Sequence, residues 1–207
     1  MTFQTFFLSF GLEDKIKNIC LIIFLSLILF SCGEKEEAEE ETNKELEGTW
    51  TTSCVVDSGY SHLYKIVVTG TNAVEIDEVH SDTSCATDAW KWEYSYNSLI
   101  IGDGVTFSDG TKGHYFTSKI ESMKHTPQTS AVANAYNSAS SCGYNNWAIN
   151  TEKDVIGHTC GSTTYYTKNT TGRGLYNLVG NKVYFGGFKT SGSYPNGVDT
   201  SKTFVKQ

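Results

Sequence analysis

Along much of this chain, hydrophobic and polar positions alternate with a period of two, the pattern of strands that bury one face. The clearest instance is residues 90–96, WKWEYSY, where Trp90, Trp92, Tyr94 and Tyr96 share one face and Lys91, Glu93 and Ser95 the other. Residues 50–56 (WTTSCVV) read as the first strand, and residues 62–69 and 73–79 as a hairpin about Gly70-Thr71-Asn72. Asn97-Ser98 is predicted to turn the chain into residues 99–101. Asp103-Gly104 and Asp109-Gly110 are turn signals in a loop-rich stretch rather than calcium ligands. Residues 113–123, 147–150, 154–158 and 163–167 follow as strand candidates. Residues 174–179 and 182–185, joined at Gly180-Asn181, and then 203–206 complete the set. Roughly ten short strands predict an all-β domain, either an antiparallel up-and-down barrel or a closely related β-sandwich.

The period fails in two places. Residues 126–146, rich in Ser, Ala and Asn, read as a long loop insertion with a short helix across 130–137. Residues 19–30 are instead an unbroken apolar run behind Lys15 and Lys17. As a helix, such a run rises about 18 Å, short of a bilayer core of about 30 Å, so a cleaved signal peptide is expected. Residues 1–12, apolar ahead of those lysines, fit an extension from a misassigned start. Residues 33–47 hold eight Glu against two Lys and account for nearly all of the formal net charge of −7. They read as a disordered acidic tether, and the remainder is close to neutral. With one Arg in the chain and no basic patch, nucleic acid is not an expected partner.

Leu29-Phe30-Ser31-Cys32 resembles the lipobox of bacterial lipoproteins. The resemblance implies cleavage before Cys32, acylation of Cys32 with palmitate-type chains, and a membrane anchor. The expected division is a signal peptide over 1–31, a lipidated N-terminus and tether over 32–47, and a single β domain over 48–207. Gly33 in place of Asp implies the outer membrane in that class, and Lys35-Glu36-Glu37 resembles a short surface-export signal. Either the periplasmic face or the cell surface would suit. Both favour disulfides. With Cys20 in the signal and Cys32 lipidated, Cys54, Cys85, Cys142 and Cys160 remain, and four cysteines allow three pairings. The expected one joins sequence neighbours, Cys54 with Cys85 and Cys142 with Cys160. No CxxC or HxxxH spacing supports a metal site.

Gly48-Thr49-Trp50 at the head of the domain resembles the Gly-x-Trp signature of lipocalins. That likeness implies an eight-stranded barrel with Gly48 and Trp50 as the motif that closes its base. The chain is also similar to small bacterial lipoproteins, mostly without assigned function, in which Gly-Thr-Trp precedes a Cys and a second Cys follows about thirty residues on. Gly48-Thr49-Trp50, Cys54 and Cys85 match that outline. So do Lys182-Val183-Tyr184-Phe185-Gly186, Gly192, Pro195 and Lys202-Thr203-Phe204-Val205-Lys206. One departure concerns the Arg that lipocalins stack on the motif Trp from late in the chain. None lies in 203–207, and Arg173 stands far upstream.

No nucleophile elbow, HExxH or phosphate-binding glycine loop occurs, and the five histidines are scattered without motif spacing. The chain is therefore read as a non-enzyme without cofactor or metal. The face of Trp90, Trp92, Tyr94 and Tyr96 is the candidate ligand-binding surface, although a half-buried strand needs such a face for its core in any case. The expectation is a monomeric, outer-membrane-anchored lipoprotein that holds a small hydrophobic ligand or serves an envelope role. The alternative is a surface-exposed adhesion or interaction lipoprotein that engages macromolecules through its loops, residues 126–160 above all.

Overall fold

The computed structural model describes residues 44–107 and 110–207. The signal segment, Cys32, most of the tether and Asp109 lie outside the described residues. The described part is mostly antiparallel β-sheet with one α-helix. Its strands are β1 (Gly48–Thr51), β2 (Val55–Asp57), β3 (Tyr60–Thr69), β4 (Asn72–His80), β5 (Asp88–Thr106), β6 (Lys112–Pro127), β7 (Lys153–Asp154), β8 (Thr159–Cys160), β9 (Thr163–Thr164), β10 (Thr171–Val179), β11 (Lys182–Phe185) and β12 (Phe204–Lys206). Pairing runs β1-β12-β11-β10-β6-β5-β4-β3, and β3 pairs again with β1, so eight strands form a closed ring. The seam is narrow: Trp50 stands opposite Lys206 on one side and Ile66 on the other.

Local chemistry explains the turns. Thr69 pairs with Asn72, leaving Gly70-Thr71 as a two-residue loop with Gly70 at φ +55°, tighter than the three-residue loop expected. Gly180-Asn181 joins β10 to β11 as predicted, with Gly180 at φ +62°. The first predicted strand is broken, because Thr52–Cys54 leave the sheet and β1 and β2 pair separately with β3. Asn97-Ser98 does not reverse the chain. Ser98 takes φ +53°, the register shifts, and Ile100 resumes pairing with Thr117 on the same partner strand, so the pair forms a bulge within β5. Gly104 also lies inside β5, opposite His114. The reversal comes later, where the Phe107 amide donates to the Thr111 carbonyl at 2.8 Å.

Between β6 and β10 the chain makes a long excursion, residues 128–170, which takes up the insertion expected at 126–146 except for Thr126 and Pro127, the last residues of β6. Helix α1 (Ser130–Ser138) starts at Thr129, whose hydroxyl accepts from the Val132 amide at 3.3 Å. Of the strands expected at 147–150, 154–158 and 163–167, the first does not form, the second survives only at Asp154 in β7, and the third is cut to β9, while β8 falls between them, since the excursion packs on the ring through side chains more than through ladders. Disulfides join Cys142 to Cys160 within the excursion and Cys54, just before β2, to Cys85 in the loop after β4.

Two clusters make the core. One gathers Leu46, Trp50, Val68, Leu99, Tyr176, Val183 and Phe204 inside the ring. The other gathers Ile120, Met123, Ala133, Trp147 and Val155, with Trp92, Tyr94 and Tyr165, where the excursion meets β5 and β6. Residues 45–47, assigned to the tether by charge, are built into the fold. Leu46 is buried, its carbonyl accepts from the Trp50 indole N–H at 2.7 Å, and Glu47 accepts from the Gly70 amide at 3.0 Å. Among the described residues no helix is long and apolar enough to cross a membrane.

Candidate functional site

Inside the ring lies a cavity of about 230 Å³. Its position follows from the register. Tyr64, Ile66 and Val68 on β3 stand opposite Asp77, Glu75 and Ala73 on β4, and Ala73 stands opposite Tyr96 on β5. Residues directly across a ladder share a face, so these side chains point inward together. Leu46, Val68, Ala73 and Leu99 give the cavity an apolar end near Trp50, and Phe116, Phe185 and Phe204 form much of the wall. The segment between β11 and β12 contributes Phe188, Asp199 and Lys202.

The polar groups are few and specific. Glu75 reaches the cavity and accepts a hydrogen bond from the Tyr96 hydroxyl at 3.3 Å through Oε2. Burial raises the Glu75 carboxyl above the ordinary carboxylate range and nearby Asp77 adds to this, while Tyr96 and Lys202 pull it partway back. Asp77 is also raised, chiefly by burial, against the opposing hydrogen bond with His62, whose Nδ1 lies 2.8 Å from Oδ1. Lys202 sits with its ammonium 4.3 Å from the centre of the Tyr64 ring. Burial works against its charge, but the Tyr64 hydroxyl, Asp199 and Asp77 outweigh it and raise its pKa.

Of the four aromatics singled out on β5, Tyr96 lines the cavity. Trp92 and Tyr94 pack in the second cluster, where Trp92 lies 3.6 Å from His125, centroid to centroid, and 5.4 Å from Tyr165. Trp90 meets Tyr60 edge to face at 5.2 Å. Phe188 touches both regions, standing 5.3 Å from Tyr96 and lining the cavity. Trp50 is buried at the seam, and the cation over its ring is Lys206, 5.1 Å from the centroid. Gly48 makes that approach possible: it holds φ +116°, and a Cβ there would stand 3.1 Å from Lys206 Cε. Arg173 is elsewhere, on β10 opposite Thr117 of β6.

The remaining histidines are distributed through the fold. His80 lies 3.3 Å from Asp88, His114 stacks on Tyr176, and His158 Nδ1 meets the Cys142 carbonyl at 2.7 Å. Among the described residues no three His, Cys, Asp or Glu side chains converge in a metal-binding arrangement. Pattern reading missed Glu75, Asp199, Lys202 and Tyr64. A signal for Glu75 does exist: in AVEIDEV, Glu75 and Asp77 occupy the inward parity of β4, and Val74 and Ile76 take the outward one together with Glu78. No protein-family model matches the chain, and no curated protein sequence is significantly similar to it.

Proposed function

We propose that this chain is a lipid-anchored envelope protein whose ring of strands is an up-and-down, lipocalin-like barrel holding a small, largely apolar ligand. The observation that carries this reading is the cavity of about 230 Å³ inside the ring, walled by aromatic and aliphatic side chains with a few convergent polar groups. An apolar cavity of about 150 Å³ takes up benzene, so the space suits a single ring with a short side chain. Closure at Gly48 and Trp50 supports the barrel. On this reading Lys206 takes the position over the Trp that an Arg holds in the lipocalin pattern.

Indole is a suitable neutral probe for the cavity, titrated by calorimetry against the intact protein. Binding is expected, and Ala73→Leu, which extends a side chain into the apolar end of the space, should weaken it at least tenfold while the protein stays folded. No binding, or binding untouched by Ala73→Leu, would remove the ligand reading. The anchor is tested separately. Metabolic labelling with palmitate should mark the wild-type protein and not Cys32→Ser. Protease treatment of intact cells then separates surface display, in which the domain is cleaved, from a periplasmic position, in which it is protected.

A further inference from the structure

Over Ala73–Asp77, strand β4 runs against the usual alternation. Ala73, Glu75 and Asp77 face the interior, whereas Val74 and Ile76 face outward; beyond them the ordinary order returns, with Val79 buried and Glu78 on the outward parity. Within that stretch, exchanging the two faces would bury two aliphatic side chains and return both acids to water. Register is strongly specified where one face is buried, so the inward acids are a cost the fold carries. Places where local pattern and fold disagree are characteristically functional.

The Asp77 carboxylate has a partner in His62, and Asp199 is taken up by the amide and hydroxyl of Ser201 at 2.9 Å and 2.6 Å. Glu75 lines the cavity and receives a hydrogen bond from Tyr96 to Oε2. The groups that face Glu75 are Tyr64 from β3, Asp77 from its own strand, Tyr94 and Tyr96 from β5, and Asp199 and Lys202 from the segment before β12. The β6 wall supplies Phe116 and Ser118, which do not titrate. Among the described residues that line the cavity, Lys202 is thus the one ammonium, set against the carboxyl groups of Glu75, Asp199 and nearby Asp77, and it is committed to the Tyr64 ring and hydroxyl. An anionic ligand would enter against that balance, and a cationic one would complete it.

We infer that the ligand is a small amine, its apolar body in the end of the cavity lined by Leu46, Val68 and Leu99 and its ammonium on Glu75. The inference rests on the cavity being a ligand site. Binding transfers no covalent bond: an ammonium R–NH₃⁺ meets the Glu75 carboxyl, and where that carboxyl is protonated in the empty cavity its proton leaves to solvent as the ion pair forms. Amine affinity therefore rises with pH as Glu75 ionises, up to the pKa of the amine itself. Lys202 and the Asp77–His62 pair frame the site without being replaced.

Three isosteric probes decide the matter: phenethylamine, 2-phenylethanol and 3-phenylpropionate, titrated at pH 7.5 into the intact protein held in lipid nanodiscs free of detergent. Phenethylamine should bind at least about tenfold tighter than either competitor, the increment of a charge-assisted hydrogen bond in a desolvated site. Glu75→Gln should erase the preference, bringing phenethylamine to the affinity that 2-phenylethanol shows for the same variant. Lys202→Met should keep or strengthen amine binding, so the result does not depend on a single variant. Proton release on amine binding is read from titrations in buffers of different ionisation enthalpy. The alcohol or the carboxylate binding as tightly as the amine would overturn the inference and leave the cavity reading standing. So would an amine preference that survives Glu75→Gln. Failure of all three probes would overturn both.

Discussion

His125 lies flat on Trp92, 3.6 Å between ring centres, and its Nε2 meets the Tyr136 hydroxyl at 3.1 Å, while Nδ1 finds no protein partner. Burial lowers its pKa to about 3, so the folded protein keeps it neutral where the unfolded chain protonates it. The sign follows: stability is lost as pH falls from the ordinary value near 6.5 toward the folded one, by up to roughly 4 kcal/mol. Urea unfolding across that range should show a steep acid-side loss. His125→Gln, which preserves an acceptor for Tyr136, should flatten the slope even though it costs about 1–2 kcal/mol at neutral pH. Glu75 works in the opposite direction. Its carboxyl is raised, so the stability linked to its proton is present at low pH and is lost as pH rises through the folded value. At pH 7.5 the buried charge destabilises the fold, and Glu75→Gln should raise Tm there. That gain should vanish below about pH 4, where the acid is neutral in both states. An unchanged Tm at pH 7.5 would mean that the carboxylate is fully compensated inside the ring.

At the scale of an element, β10 shows how a strand can be shaped by what it lacks. Gly172 and Gly174 fall on the inward parity of TGRGLYNLV, opposite Ser118 and Phe116. A Cβ at Gly172 would run into the Phe188 ring, and one at Gly174 into the Phe116 ring. Both rings line the cavity, so the two glycines let them lie against the β10 backbone and keep the space beside them open. Gly174→Ala should cost about 1–3 kcal/mol by overpacking and push Phe116 inward, lowering indole affinity by several-fold in calorimetry. Unchanged affinity would show that the ring has another way out. The sequence displayed some of this scale plainly and hid the rest. The inner face of Trp90, Trp92, Tyr94 and Tyr96 was legible because strict alternation has one geometric meaning. Asn97-Ser98 was misread as a turn because a bulge and a turn draw on the same residues, those that tolerate a positive φ, and only the partner strand decides between them. The cavity was not legible, since Glu75 and Lys202 lie 127 positions apart and meet only once the ring closes.

At the scale of the whole described fold, the first and last strands meet at one seam. Trp50 pairs with Lys206, and the Gln207 amide donates to the Thr49 carbonyl at 2.9 Å, so the ring closes between residues nearly a full domain apart. Neither disulfide crosses that seam. Cys54–Cys85 spans 31 residues and holds the edge strand β2 to the loop after β4, and Cys142–Cys160 spans 18 residues within the excursion. Each bridge reduces the freedom of the unfolded chain by about 3 kcal/mol, but it does so locally. The second cluster shows what depends on the second bridge: Cys142 is buried there with Trp147 and Val155, and Trp147 donates from its indole to the Ser141 carbonyl at 3.1 Å. Removing both sulfurs in a Cys142→Ala, Cys160→Ala variant should therefore loosen the excursion as a unit. In hydrogen exchange, amides across 128–170 should lose on the order of a hundredfold protection, the equivalent of that bridge, while the β3–β6 core keeps its protection. Indole affinity should change less than the exchange does, because the cavity wall comes from the ring and from the segment before β12, and the excursion reaches it only through Phe188's neighbours. Equal loss of protection in β3–β6 would show that ring and excursion unfold together, and that the second bridge stabilises the cavity from a distance.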